Sequence, residues 1–109
     1  NILDWGCGPG RIIRHLPDFL DKKSRVFGTD YNAASIEWCK ANLPTIDFNL
    51  NGLEADLPYD SNLFDYIFGI SIFTHLSEKM HYEWMSELHR VLKPGGILML
   101  TLHGDAFMS

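Results

Sequence analysis

The residues best suited to chemistry lie in one short stretch, Asp4-Trp5-Gly6-Cys7-Gly8-Pro9-Gly10, with a second acid, Asp30, further along. Glycines lack a Cβ, so a backbone carrying them at alternate positions turns tightly and approaches a ligand closely. A helix starting just beyond such a turn would offer free N–H groups to an anionic group. Alone, the pattern indicates a nucleotide-like ligand. Asp30 follows the turn by about 20 residues, where an acidic side chain meets ribose hydroxyls in open α/β sheets. A carboxylate there accepts from both ribose oxygens at once and recognises a nucleoside with or without phosphate. The alternative is a solvated Asp at a strand end.

Spacing separates the ligand classes. The dinucleotide fingerprint G-x-G-x-x-G, counted from Gly6, meets Arg11 where glycine or alanine belongs, and counted from Gly8 it meets Ile13. A nicotinamide-dependent oxidoreductase is therefore disfavoured by its own motif. Cys7 and Cys39 are too few and too far apart for a disulfide framework or a zinc site, so two free thiols and no metal are expected. Free thiols, and no secretory signal before the first strand, point to the cytoplasm.

The elements that must position these residues alternate strand with helix. Residues 1–5 form a short apolar run broken by the glycines, after which Ile12, Ile13 and Leu16 recur at helical spacing until Pro17. Residues 25–29 are a second strand ending in Asp30, and Asn32 can cap a helix running to about Leu43, ahead of Pro44. Residues 46–50 are the third strand, and the polar stretch 51–62 is a loop. The nearly continuous apolar run 64–71 has the character of a strand buried on both faces. Ser77 caps a longer helix with Met80, Trp84, Leu88 and Val91 along one stripe, and Lys93-Pro94-Gly95-Gly96 stops it before a fifth strand at 97–102. The fold class is α/β, an open, doubly wound, mostly parallel sheet with its ligand beyond the carboxyl ends of the strands.

Composition bounds the function. A chain of 109 residues, 46% hydrophobic and 21% charged, suits one soluble globular domain with one core. The formal charge of −5, with nine Lys and Arg scattered along the chain, leaves no electrostatic footprint for nucleic acid. The longest apolar stretches fall far below the roughly 20 residues of a membrane span.

The sequence resembles the class I S-adenosylmethionine-dependent methyltransferases. The matching pieces are residues 2–11, Gly28-Thr29-Asp30, Leu57-Pro58-Tyr59, Phe64-Asp65-Tyr66-Ile67 and Arg90-Val91-Leu92-Lys93-Pro94-Gly95-Gly96, in the family's order. The resemblance implies a Rossmann-like sheet of order 3-2-1-4-5 and S-adenosyl-L-methionine as cofactor. It implies that Gly6, Cys7 and Gly8 border the methionine portion, with Asp4 beneath, holding the loop or meeting the ammonium through water. Asp30 would take the ribose hydroxyls and Tyr31 the adenine ring, unless Tyr31 only packs at the helix entry. Where many members have an acid before Leu-Pro, this chain reads Asn51-Gly52-Leu53-Glu54-Ala55-Asp56. An Asn51 carbonyl can accept from the adenine amino group and a backbone N–H of Gly52 or Leu53 can serve a ring nitrogen, with Glu54 or Asp56 as substitutes. Ser71 falls along the methionine side. His75 is the candidate general base, because imidazole titrates near neutral pH, against a purely structural role.

The implied reaction is in-line displacement at the methyl carbon of a sulfonium, to an unidentified acceptor, a small molecule being favoured. The alternative is a non-catalytic or truncated cofactor-binding module. The family's core has seven strands and often an N-terminal cap, so residues 1–109 are expected to be one cofactor-binding core, truncated at both ends. Strand five, read as 97–102, would then be an exposed apolar edge without Lys, Pro or bulge, prone to self-association.

Overall fold

The computed structural model describes residues 1–10, 12–18, 20, 23–52, 54–70 and 78–101. Ser71, His75, the Ser77 cap, Leu53, Arg11 and Leu102 lie outside them. Five strands, β1 (Ile2–Trp5), β2 (Val26–Asp30), β3 (Asp47–Leu50), β4 (Phe64–Ile70) and β5 (Leu92–Thr101), form a parallel sheet of order β3-β2-β1-β4-β5. Among the described residues, two α-helices, α1 (Ala33–Asn42) and α2 (Glu78–Val91), lie within the crossovers to β3 and β5. The chain steps outward from β1 to β3, then returns past β1 to β4 and β5. Right-handed crossovers run in opposite directions place α1 and α2 on opposite faces. The reversal between β1 and β4 is the switch point at which such sheets open a crevice.

Register assigns the two cores. Leu3 pairs with Phe27 and Ile67, and this row packs with Trp5, Leu57, Phe64, Trp84, Leu88 and Val91 on the α2 side. Trp5 and Trp84 meet with ring centroids 5.0 Å apart. The alternate row faces α1, where Val26 and Phe48 pack with Cys7, Ile13, Ile36, Cys39 and Ile46. Burial of each large apolar side chain contributes about 1.5–3 kcal/mol. Asn32 caps α1 as its sequence suggests, its Oδ1 accepting from Ser35 N at 3.0 Å.

Three local expectations change. The helix after the glycine turn is a 3-10 segment, Ile13–Asp18, containing Pro17, which has no N–H to extend an α-helical ladder. β1, β2 and β3 each start one residue later than expected, at Ile2, Val26 and Asp47. α2 runs directly into β5, which starts at Leu92 and not Ile97. Leu92 pairs with Phe64, and the ladder then shifts so that Ile97 pairs with Tyr66. Lys93, Pro94 and Gly95, whose φ is +81°, occupy that irregularity, so the strand does carry a bulge, a Lys and a Pro at its start.

On the α1 face, Ile2, Tyr66, Phe68 and Met99 border an open apolar groove with Ile12, Leu16 and Leu20. Ile97 and Met99 are 60% and 45% exposed there. No helix among the described residues is long and apolar enough to cross a membrane.

Candidate functional site

The site is assembled at the carboxyl ends of β1 and β2. Asp4 pairs with Gly28, so Asp4 and Asp30 project toward the same face from adjacent strands. Both are buried, at 5% and 8% exposure. Burial, and secondly the charge of Asp30, pushes the Asp4 carboxyl up to about 7. Asp30 Oδ2 accepts from Gly8 N at 2.6 Å and Oδ1 from Asn32 N at 3.0 Å. A carboxylate has about four acceptor positions, so both oxygens keep capacity for hydroxyl donors.

The glycine turn differs from the expected anion cradle. Gly6 N and Cys7 N both donate to Thr29 O, at 2.7 and 2.9 Å, Gly8 N to Asp30, and Gly10 N to Cys7 O at 3.0 Å. Pro9 has no N–H. Positive φ at Gly6, Gly8 and Gly10 (79°, 54° and 76°) directs these groups inward, so residues 6–10 keep no N–H for a phosphate. The edge left beside the ligand space is uncharged backbone above two carboxylates. The Cys7 and Cys39 thiols each donate to Gly8 O at 3.5 Å, and burial raises both, which keeps them protonated and structural.

Tyr31 follows Asp30 with 66% exposure, so helix-entry packing does not consume its ring. Asn51 is buried; its Oδ1 accepts from Thr29 Oγ1 at 2.6 Å and its Nδ2 donates to Gly52 O at 2.8 Å. One lone pair of the Asn51 oxygen is therefore already occupied. Gly52 is exposed beside it, whereas Glu54 and Asp56 line a separate groove with Tyr82, Glu83 and Ser86 of α2. Glu87 anchors that loop by accepting from Leu57 N at 2.6 Å, and Arg90, hydrogen-bonded to Glu87 at 2.7 Å, holds its carboxyl below the usual range. Asp4, Gly6, Cys7, Gly8, Asp30, Tyr31, Asn51 and Gly52 are thus gathered around one end of the sheet. Leu53, Ser71 and His75 lie outside the described residues. Sequence reasoning missed Thr29 as the double acceptor and brace, although its place between Gly28 and Asp30 was a signal; it also missed Arg14, four residues after Gly10.

A parallel sheet of this order, with a glycine turn after its first strand and a carboxylate closing its second, defines a Rossmann-like nucleoside-binding domain. The sequence profile of the methyltransferase-domain family matches residues 2–96. A malonyl-[acyl-carrier protein] O-methyltransferase from Salmonella typhimurium is 27% identical over 108 residues, covering 93% of this chain and 38% of that protein. A ubiquinone/menaquinone biosynthesis C-methyltransferase from Wigglesworthia glossinidia brevipalpis is 31% identical over 104 residues, covering 91% and 41%. The crystal structure of a TehB-like methyltransferase from Corynebacterium glutamicum superposes with a TM-score of 0.79 at 25% identity, over 98% of this chain and 60% of that one. The chain belongs to the class I S-adenosylmethionine-dependent methyltransferase family, whose cofactor is S-adenosylmethionine. It spans 36 to 38% of the length of the first curated relatives it matches.

Proposed function

We propose that the chain binds S-adenosylmethionine across the ends of β1, β2 and β3 and serves as the cofactor half of an enzyme that methylates a small molecule. The observation that carries this reading is the pairing of Asp4 and Asp30 beneath a turn whose N–H groups are consumed internally. Such a site disfavours phosphate and favours a cationic nucleoside. When bound, the cofactor supplies an electrophilic methyl group on a sulfonium. Asp30 has acceptor capacity for the ribose hydroxyls, Asp4, only half ionised near neutral pH, is drawn toward its anionic form by a cation on the methionine side, and Tyr31 offers an exposed ring face to adenine. Gly52 and the free lone pair of Asn51 are the candidates for the adenine edge. The protein's contribution is orientation and water exclusion, since the thioether is already a good leaving group. Ser71 remains our candidate along the methionine side of the cofactor, and His75 our candidate base for acceptors that must lose a proton. The matching region is shared by a relative named as an O-methyltransferase and another named as a C-methyltransferase, which supports placing acceptor choice elsewhere.

Calorimetric titration with S-adenosylmethionine, S-adenosylhomocysteine and NAD tests the reading. The first two should bind and NAD should not, and Asp30→Ala should weaken binding roughly ten- to hundredfold, the loss of charge-assisted hydrogen bonds. Measurable NAD affinity without a response to S-adenosylhomocysteine would sink the assignment.

A further inference from the structure

The glycine turn is held from two sides. β2 takes the N–H groups of Gly6 and Cys7 through Thr29 O, and that of Gly8 through Asp30. The carbonyls at the far end are taken by one side chain. Arg14 Nε donates to Gly10 O at 2.9 Å and Nη2 to Pro9 O at 3.0 Å, and the Arg14 backbone N–H also donates to Gly10 O, at 3.1 Å. The guanidinium lies over the Trp38 ring of α1, 5.3 Å from its centroid. Gly10 is pressed toward the same helix end: a Cβ there would stand 2.9 Å from Leu43 Cδ1 and 3.4 Å from Cys39 Sγ.

Glycines lose more backbone freedom on ordering than any other residue, and this turn has three of them at positive φ. A rigid planar fork on two consecutive carbonyls fixes both peptide planes at once. An ammonium on a flexible stem cannot do the same. We propose that Arg14, stacked on Trp38, is a positioning residue for the cofactor, which sets the shape of the glycine turn before the ligand arrives. This rests on the turn being the cofactor site. Without Arg14 the ligand must order the turn itself, so the loss falls on affinity.

The test is calorimetric titration of S-adenosylhomocysteine into the full chain and its variants, well below their melting temperatures. Arg14→Ala should weaken binding about tenfold, a charge-assisted contact discounted for exposure. Arg14→Lys, which keeps the cation on the ring but not the fork, should recover only part. Trp38→Phe should stay near wild type and Trp38→Ala should lose about two- to fivefold, the value of an exposed cation–π contact. Arg14→Ala with Trp38→Ala should bind no more weakly than Arg14→Ala alone. A role in stability alone would lower Tm and leave these affinities unchanged. Unchanged affinity in Arg14→Ala, or effects that simply add, overturns the proposal while leaving the cofactor assignment standing. No binding by the wild-type chain overturns both.

Discussion

Asp4 is nearly fully buried and its carboxyl is pushed up to about 7, by burial first and the Asp30 charge second. An acid raised in the folded state holds a proton that the unfolded chain has already released. Between the ordinary aspartate value of 3.8 and about 7, stability therefore falls as pH rises, by up to about 4 kcal/mol in all, and is flat beyond. Asp4→Asn, an isostere of the protonated acid, should be more stable than wild type at pH 8 and indistinguishable near pH 4. Urea denaturation across that range checks it; a constant difference would mean that Asp4 is ionised throughout. The two acids were legible in sequence because each lies within two residues of a glycine at the carboxyl end of a strand, Asp4 next to last in β1 and Asp30 last in β2. Their partners were not, because the Gly8 amide that closes on Asp30 lies 22 residues away and its direction depends on φ at Gly6 and Gly8. The same distance hid the Thr29 hydroxyl that occupies Asn51.

Among the elements, β2 shows why one glycine is needed mid-strand. A Cβ at Gly28 would stand 2.8 and 2.9 Å from the Phe48 ring and 3.1 Å from Ile13 Cδ1. Both neighbours are buried, at 5% and 0% exposure, and cannot yield without repacking. Gly28→Ala should cost about 1–3 kcal/mol of stability, as overpacking does, measured by thermal denaturation. A wild-type Tm would mean that β3 shifts freely. Sequence reading found β1 and β2 because a glycine or an acid marks where each apolar run ends, β4 and α2 because their apolar rows are long, and α1 because Asn32 caps it. It misjudged the segment after the glycine turn, where Pro17 limits an otherwise helical pattern, and the start of β5, because Pro94-Gly95-Gly96 reads as a turn even when the sheet accommodates it as a bulge.

Across the whole molecule, β5 is an edge of the described sheet, and its outward row on the α1 face, Ile97 and Met99, is apolar and exposed. The bulge, Lys93 and Pro94 protect only its first residues. The isolated chain should therefore self-associate, with a mass that climbs with concentration in size-exclusion chromatography with light scattering. Ile97→Lys should suppress this. It is a better probe than Leu100, which packs against the α2-side core. A monomer at every concentration would show that the edge is covered. The sheet order has another consequence. The acids stand on β1 and β2, each paired on both sides, while β3 and β5 form the two margins. Local opening starts at margins and reaches fully paired strands last. Amide protons of β5 should thus exchange with solvent well before those of β1, and partial unfolding from the β5 side should leave Asp4, Asp30 and the turn between them assembled, so that ligand retention outlasts the margin.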